Sequence, residues 1–394
     1  MPVSDPFLPY GRQSITDADI AAVVAVLKSD FLTQGPQVER FEADLAAAVG
    51  ARHAIAFSHG TAALFGTTYA AGLGVGDEVI TSPITFAASA NCAAYVGATP
   101  IFADVEPVAA TLDPAAFERA ITARTKAVIP VHFSGQPVQL AEIHAIAQRR
   151  GLTVIEDAAH ALGASYAGQP IGSGQFSDMT IWSFHPVKHI TTGEGGAVTT
   201  NSDALADRLR RFRNHGIERD AARFVQPNPG PWYHEMQELG HNFRLTDMQA
   251  ALGSSQLSRL GTFVQRRREI VRLYDELLAP IAGVTPLGRL ADGQSSFHLY
   301  VVLIDFAGLG ISRSDVMHDL RNQQVGTQVH YIPCYRHPYH AQLGLQTRAG
   351  GWRPQDFPNA EAYYDRALSL PMYPALTDAD VQRVVQALHT VLHG

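Results

Sequence analysis

The sequence predicts an α/β fold: a large, mostly parallel sheet covered by helices, followed by a small C-terminal α+β domain. Three observations predict it. Between residues 53 and 200, short apolar runs alternate with helical patterns. Several of those runs are almost continuously apolar, as strands covered on both faces are. Beyond a long polar helix around Thr262–Leu278, the pattern restarts with a new strand.

The elements follow in order. Residues 1–12, Pro-rich through Tyr10 and Arg12, read as an extended arm. A helix begins at Thr16, where Thr16 and Asp19 fit a capping box and Ile20, Val23, Val24 and Leu27 form an apolar stripe. Gly35-Pro36 marks a loop, and a second amphipathic helix runs through Phe41, Leu45 and Val49. Strands are predicted at His53–Phe57, Glu78–Thr81, Pro100–Asp104, Ala127–His132, Thr153–Glu156, Thr180–Phe184 and Ala197–Thr200. Helices Thr61–Gly72 and Ala87–Val96 lie between the first of them. Residues 202–280 read as mainly helical, interrupted at Gln226–Trp232. A strand at Phe297–Ile304, a helix near Ser314–Gln323, a strand at Gly326–His330 and a helix from Asp378 complete the pattern. The expected division is an arm (1–12), a large domain (13–262) and a small domain (263–394).

Composition excludes several classes. The 394 residues are 46% hydrophobic and 17% charged, which fits a compact enzyme and not a disordered or repeat protein. A net charge of −7 gives no electrostatic reason to bind nucleic acid or an anionic membrane. No signal peptide or membrane-spanning run is apparent, and the two cysteines, Cys92 and Cys334, read as reduced thiols. A cytoplasmic protein is expected.

Ligands of parallel sheets sit beyond the carboxyl ends of strands, so the residues there matter most. Ser58-His59-Gly60-Thr61 follows a strand and opens a helix, a place where free N–H groups and the helix dipole suit a phosphate. Asp157 directly follows a buried strand and can pair with a cationic ring nitrogen, while His160 can lie against a ring face. Lys188 follows a strand and precedes the loop Gly193-Glu194-Gly195-Gly196, with Ser183 five residues earlier. A lone lysine is ordinarily a solvated surface residue. Among apolar and hydroxyl neighbours its amine becomes a nucleophile for carbonyls. A phosphate cradle, a carboxylate for a ring nitrogen and an amine for an aldehyde are together what pyridoxal 5′-phosphate needs.

With the segments Leu32-Thr33-Gln34-Gly35, Pro83-Ile84-Thr85-Phe86, Glu156 to His160, Ser183 to Lys188 and Gly240 to Leu245, the chain resembles the DegT/DnrJ/EryC1/StrS sugar aminotransferases over nearly its whole length. The resemblance implies the PLP-dependent transferase fold type I, which is aspartate aminotransferase-like. It implies Lys188 as the Schiff-base lysine, Asp157 on the ring nitrogen, His160 on one ring face and Phe86 near the other. Gly60, Thr61 and Ser183 would hold the phosphate, and Asn242 would arrive from a neighbouring subunit of a homodimer with shared active sites. Within the family, residues 183–196 and 238–247 are most similar to transaminases of pseudaminic acid biosynthesis. That similarity implies L-glutamate as donor and the C4 keto group of a UDP-linked 4-keto-6-deoxy-N-acetylhexosamine as acceptor. Tyr10, Asp30, Phe31, Leu32, Thr33, Ser183, Asn242, His330 and Tyr331 would line the nucleotide-sugar site. His189 departs from the pattern, standing where proline is expected.

Other readings fall away. The related sugar dehydratases carry histidine in place of the lysine, and Lys188 is present. His330, Cys334, His337 and His340 crowd into eleven residues, but Pro333 and Pro338 break any helix that would align them, so no metal site is expected. Arg266-Arg267-Arg268 reads as a solvated helix face, and no GxxxxGK loop exists for ATP.

Overall fold

Residues 6–348 and 350–394 are described by a computed structural model, so residues 1–5 of the expected arm lie outside the described residues. Among those described, a seven-stranded sheet forms from β1 (His53–Phe57), β2 (Glu78–Thr81), β3 (Thr99–Phe102), β4 (Thr125–Ile129), β5 (Thr153–Asp157), β6 (Met179–Ser183) and β7 (Gly196–Thr200). Their order across the sheet is β1-β7-β6-β5-β4-β2-β3. The pairs from β6 to β3 are parallel, whereas β7 runs against both β6 and β1.

Side chains alternate across this sheet, as the two-residue strand period requires. Ala54, Ala56, Val128, Val154, Trp182 and Ala197 pack in one core with Phe41 and Leu45 of helix α2 (Pro36–Val49). Ile55, Phe57, Ala127, Ile129, Ile155, Ile181 and Val198 pack in the other, beneath α3 (Gly60–Ala70), α4 (Ala88–Tyr95) and α5 (Asp203–Arg213). Pro36 at the start of α2 and Gly50 in left-handed geometry at its end bound that helix.

The chain then enters α6 (Asp247–Leu257) and α7 (Leu260–Leu278). Phe263 of α7 belongs to the core of the large sheet, while Ile270, Val271, Tyr274 and Leu278 belong to a third core. That core lies against an antiparallel sheet of β8 (Val284–Pro286), β9 (Tyr300–Ile304) and β10 (Ala367–Leu370), with Val316, Leu320, Val384 and Leu388 from the helices Arg313–Asn322 and Asp378–His393. The described part of the arm docks here: the Leu8 N–H donates to the Gln324 carbonyl and the Met372 N–H to the Tyr10 carbonyl, at 2.9 and 3.0 Å. Among the described residues no helix is long and apolar enough to cross a membrane.

Four expectations need correction. The apolar stripe of α1 (Asp17–Leu27) points outward, with Ile20 and Leu27 more than half exposed, and the buried residues are Asp19 and Val26. Asp19 turns inward because Arg259, Ser255 and Gln256 all donate to it. Residues 326–330 form no strand. Their N–H groups divide between two partners, Gly326 donating to the Leu8 carbonyl and Gln328 to that of Ser369. β10 takes the place beside β9 instead, a strand the sequence pattern did not show. The helical region of 202–280 breaks between Arg213 and Asp247, far beyond Gln226–Trp232, because residues 214–246 include short strands and capped turns. Lastly, Arg267 is fully buried, its Nη1 donating to the carbonyls of Phe297, His298 and Met372.

The start of α6 fixes the loop after α1. The buried Asp247 carboxylate accepts the N–H groups of Gly35 and Gln37 at 2.9 and 3.0 Å, and its own N–H donates to Leu32. Asp247→Ala leaves those N–H groups unpaired and should cost about 1–3 kcal/mol. A urea titration would read this as a lower midpoint, with faster proteolytic cleavage in residues 32–37.

Candidate active site

Sheet order brings the expected residues to one edge. β5 ends at Asp157 and β6 at Ser183, one strand apart. Gly196, the first residue of β7, pairs with Ser183 on one side and with Phe57, the last residue of β1, on the other. Because β7 reverses, the whole 184–195 connection stays at this edge. It is closed by the Phe184 N–H donating to Gly195 and the Thr192 N–H to Phe184, at 2.9 and 3.0 Å. Lys188 sits inside that connection, in a turn where its N–H donates to the His185 carbonyl.

The turn after β1 is shaped for close approach. The His59 ring caps α3, its Nδ1 accepting the Ala62 N–H at 3.0 Å, and the Ala63 N–H goes to the His59 carbonyl. Gly60 and Thr61 open the helix, where N–H groups have no partner within the helix itself. A Cβ on Gly60 would lie 3.0 Å from that of Ser183, and one on Gly196 would lie 2.7 Å from the Gly60 nitrogen. Glycine is therefore required at 196, where a side chain would strike backbone, while at 60 it leaves room for Ser183, which stands directly beside the turn.

Asp157 is buried and held by two donors. Ser89 Oγ donates to Oδ2 at 2.6 Å, and the Ala159 N–H to Oδ1 at 3.1 Å. Lys188 keeps part of its side chain open, but burial of its amine pushes the ammonium down to about 8, with Asp157 pulling it back up. His160 is buried and held neutral, burial and then the Lys188 charge pushing its pKa well below the ordinary histidine value. Its Nε2 meets the Tyr331 hydroxyl at 3.2 Å, while its Nδ1 is buried without a partner among the described residues. Phe86, largely exposed, stands with its ring 6.3 Å from that of Tyr331, and Tyr331 lies 6.1 Å from His160 in a near-parallel stack.

Of the residues expected around a sugar nucleotide, Tyr10 and His330 come together at 5.4 Å between rings, and His330 adjoins Tyr331. His330 Nδ1 meets Ser369 Oγ at 2.9 Å, and burial holds its pKa down at about 3. Asp30, Phe31, Leu32 and Thr33 are all exposed and fastened to the start of α6 through Leu32. Asn242 is exposed as well, next to Phe243, whose carbonyl accepts the Ser58 N–H. His189, at the departing position, is buried, its Nε2 3.0 Å from the Ser296 carbonyl and its ring near His298.

Several members of the site escaped the sequence reading. His59 acts as a helix cap, which serine or aspartate more often does. Ser89 and Thr85 stand at i, i+4 spacing, and that spacing was the available signal. Arg267 and His298 gave no signal, because their partners are backbone carbonyls far along the chain.

The glycine cradle beside Ser183, the doubly hydrogen-bonded buried carboxylate and the low-pKa amine fit a phosphorylated pyridine aldehyde. Comparison with known proteins agrees. The model of the DegT/DnrJ/EryC1/StrS aminotransferase family matches residues 13–389. The chain belongs to that family. It is an aminotransferase, and its cofactor is pyridoxal 5′-phosphate. It is 43% identical over 390 residues to the spore coat polysaccharide biosynthesis protein SpsC of Bacillus subtilis, covering 98% of each chain. Among solved structures it is similar to Helicobacter pylori PseC, an aminotransferase involved in the biosynthesis of pseudaminic acid, with a TM-score of 0.88, 32% identity and coverage of 98% and 99%. It is also similar to the PLP-form of the putative sugar aminotransferase Spr1654 of Streptococcus pneumoniae, at a TM-score of 0.87, 28% identity and 98% coverage of both chains.

The lowered amine gives a pH prediction. Capture of pyridoxal phosphate by the cofactor-free protein needs the neutral amine, so its rate should rise with pH about a midpoint near 8, well below the ordinary 10.5. Asp157→Asn removes the charge that holds the ammonium up and should move the midpoint lower. Absorbance-monitored mixing across pH checks both, and a wild-type midpoint at the ordinary lysine value would contradict the burial argument.

Proposed function

We propose that the protein moves an amino group from L-glutamate to the C4 keto group of a UDP-linked 4-keto-6-deoxy-N-acetylhexosamine, in a homodimer with shared active sites. The observation that carries the substrate reading is the similarity to PseC along 98% of this chain. The ring wall of Tyr10, His330 and Tyr331 beside the His160 face supports it.

Pyridoxal phosphate supplies an aldehyde for an amine and a ring that takes up electrons. The chain supplies the rest. The N–H groups of Gly60 and Thr61 and the hydroxyls of Thr61 and Ser183 would hold the phosphate. Asp157 would pair with the ring nitrogen, and His160, held neutral by burial, would lie against one ring face without competing with Asp157 for charge. Phe86 and Tyr331 shield the site from water. Lys188 Nζ, with a pKa close to working pH, takes a proton from the donor's α-carbon and returns protons on the way to the amino sugar. Glutamate leaves as 2-oxoglutarate before the keto sugar accepts the amino group, so the two half-reactions share one base.

The shared-site reading rests on exposure. Asp30, Phe31, Leu32, Thr33 and Asn242 all stand on the outside of this chain, where a second copy can receive them. The outward stripe of Ile20, Val24 and Leu27, contiguous in sequence with Phe31 and Leu32, offers that copy an apolar surface.

Two experiments follow. A panel of UDP- and dTDP-linked keto sugars with glutamate, read by 2-oxoglutarate release, should show turnover with the UDP-linked 4-keto sugar. Turnover of a dTDP sugar alone would overturn the substrate. Lys188→Ala and Asn242→Ala should each be nearly inactive. Unfolded and refolded together, they should regain about a quarter of wild-type activity, because half of randomly paired dimers carry one intact site. No regain on mixing would show that Asn242 serves its own chain or no site.

A further inference from the structure

Behind Asp157 lies a chain of hydroxyls that faces away from the ring. Ser89, on α4, donates its only hydroxyl proton to Asp157 Oδ2 at 2.6 Å. Thr85 Oγ1 lies 2.7 Å from Ser89 Oγ. The Phe86 carbonyl is a poorer acceptor for Ser89, at 3.3 Å. With the Ser89 proton committed to the carboxylate, the Thr85 hydroxyl must be the donor between the two. The order is therefore Thr85 to Ser89 to Asp157, each bond polarising the next. All three residues are buried, so water does not substitute for either hydroxyl.

The geometry points to Ser89, oriented by Thr85, as a positioning residue that keeps the proton between Asp157 and the cofactor's ring nitrogen on the nitrogen. The inference rests on the cofactor assignment above. A buried carboxylate gains proton affinity when its donors are few, and it loses that affinity as short, charge-assisted bonds spread its charge. Asp157 has the Ala159 N–H on one oxygen and the Ser89 hydroxyl on the other. Both bonds are made to the ionised carboxylate and weaken once it is protonated, so the arrangement favours the proton on the ring nitrogen. A protonated ring is the stronger electron sink, which is where the hydroxyls affect turnover. Neither hydroxyl touches substrate, so their effect on the donor's affinity should be small.

The test uses the holoenzyme reconstituted with pyridoxal phosphate labelled with 15N in the ring. In the wild type the ring nitrogen should resonate as a pyridinium. Ser89→Ala should move it toward neutral pyridine, Ser89→Cys should move it less, and Thr85→Val should move it in the same direction by a smaller amount. kcat should fall about tenfold in Ser89→Ala, as the loss of one bond to a charged group implies, with KM for glutamate changed by less than about twofold. A purely structural serine would lower the melting temperature without moving the nitrogen signal. An unmoved signal in Ser89→Ala therefore overturns the inference, whatever the melting temperature does. If Ser89→Ala fails to fold, Ser89→Cys and Thr85→Val decide on the same signal. A wild-type protein that takes up no pyridoxal phosphate overturns both this inference and the cofactor assignment, which keeps the two failures distinct.

Discussion

The site depends on one reversal of direction in the sheet. β7 runs against its neighbours, so the chain leaving β6 returns to the same edge within residues 184–195 and never crosses a face. A parallel β7 would need a crossover to the opposite edge before pairing. The reversal also places Gly196 between the ends of β6 and β1, against the Gly60 turn, where a side chain would intrude. The Lys188 loop, the Gly60 turn and Asp157 are therefore neighbours because of strand order, and local sequence only fills in the chemistry.

Burial then sets the charge states around Lys188. His160, His189 and His298 all lose their protons to burial, and Arg267 is pushed down only to about 10, so it remains charged. Among the described residues that guanidinium has no carboxylate partner. Three backbone carbonyls, from Phe297, His298 and Met372, take its place, tying α7 to the segment that leads into β9 and to the residues after β10. The same segment touches the candidate site: the Ser296 carbonyl accepts from His189 Nε2, and the Ser296 hydroxyl donates to the His160 carbonyl. The buried charge and the two histidines next to the lysine are thus parts of one packed junction. Asp157 is the anion that offsets burial at Lys188, which leaves the amine titrating near 8.

Much of this was legible in the sequence, and what was missed has a common cause. All seven strands of the large sheet were visible because alternating cores on both faces demand apolar runs. Gly60, Asp157, Ser183 and Lys188 stood out as candidates because each ends such a run or lies within five residues after one. The misreadings came where partners are distant. β10 follows a helix and short apolar run that local pattern alone does not mark as a strand, while residues 326–330 look like one but divide their bonds between the arm and β10. The α1 stripe has helical period without facing the core, because Asp19 supplies the anchoring side. Arg267 looked solvated because a run of three arginines gives no hint that three carbonyls converge on the middle one.

The two halves of the site are consequently built on different kinds of support. The cofactor half stands on strand ends, where a shift of one residue would turn side chains to the wrong face of the sheet. The wall expected to meet the sugar stands on segments outside any ladder: Tyr10 on the arm, His330 and Tyr331 after the divided segment, and residues 30–33 on a loop fixed by Asp247. Ser369 in β10 and Met372 just after it hold the first two of these supports, at Ser369 Oγ to His330 and the Met372 N–H to Tyr10. The two supports meet where Tyr331 stacks on His160 and where its ring approaches Phe86.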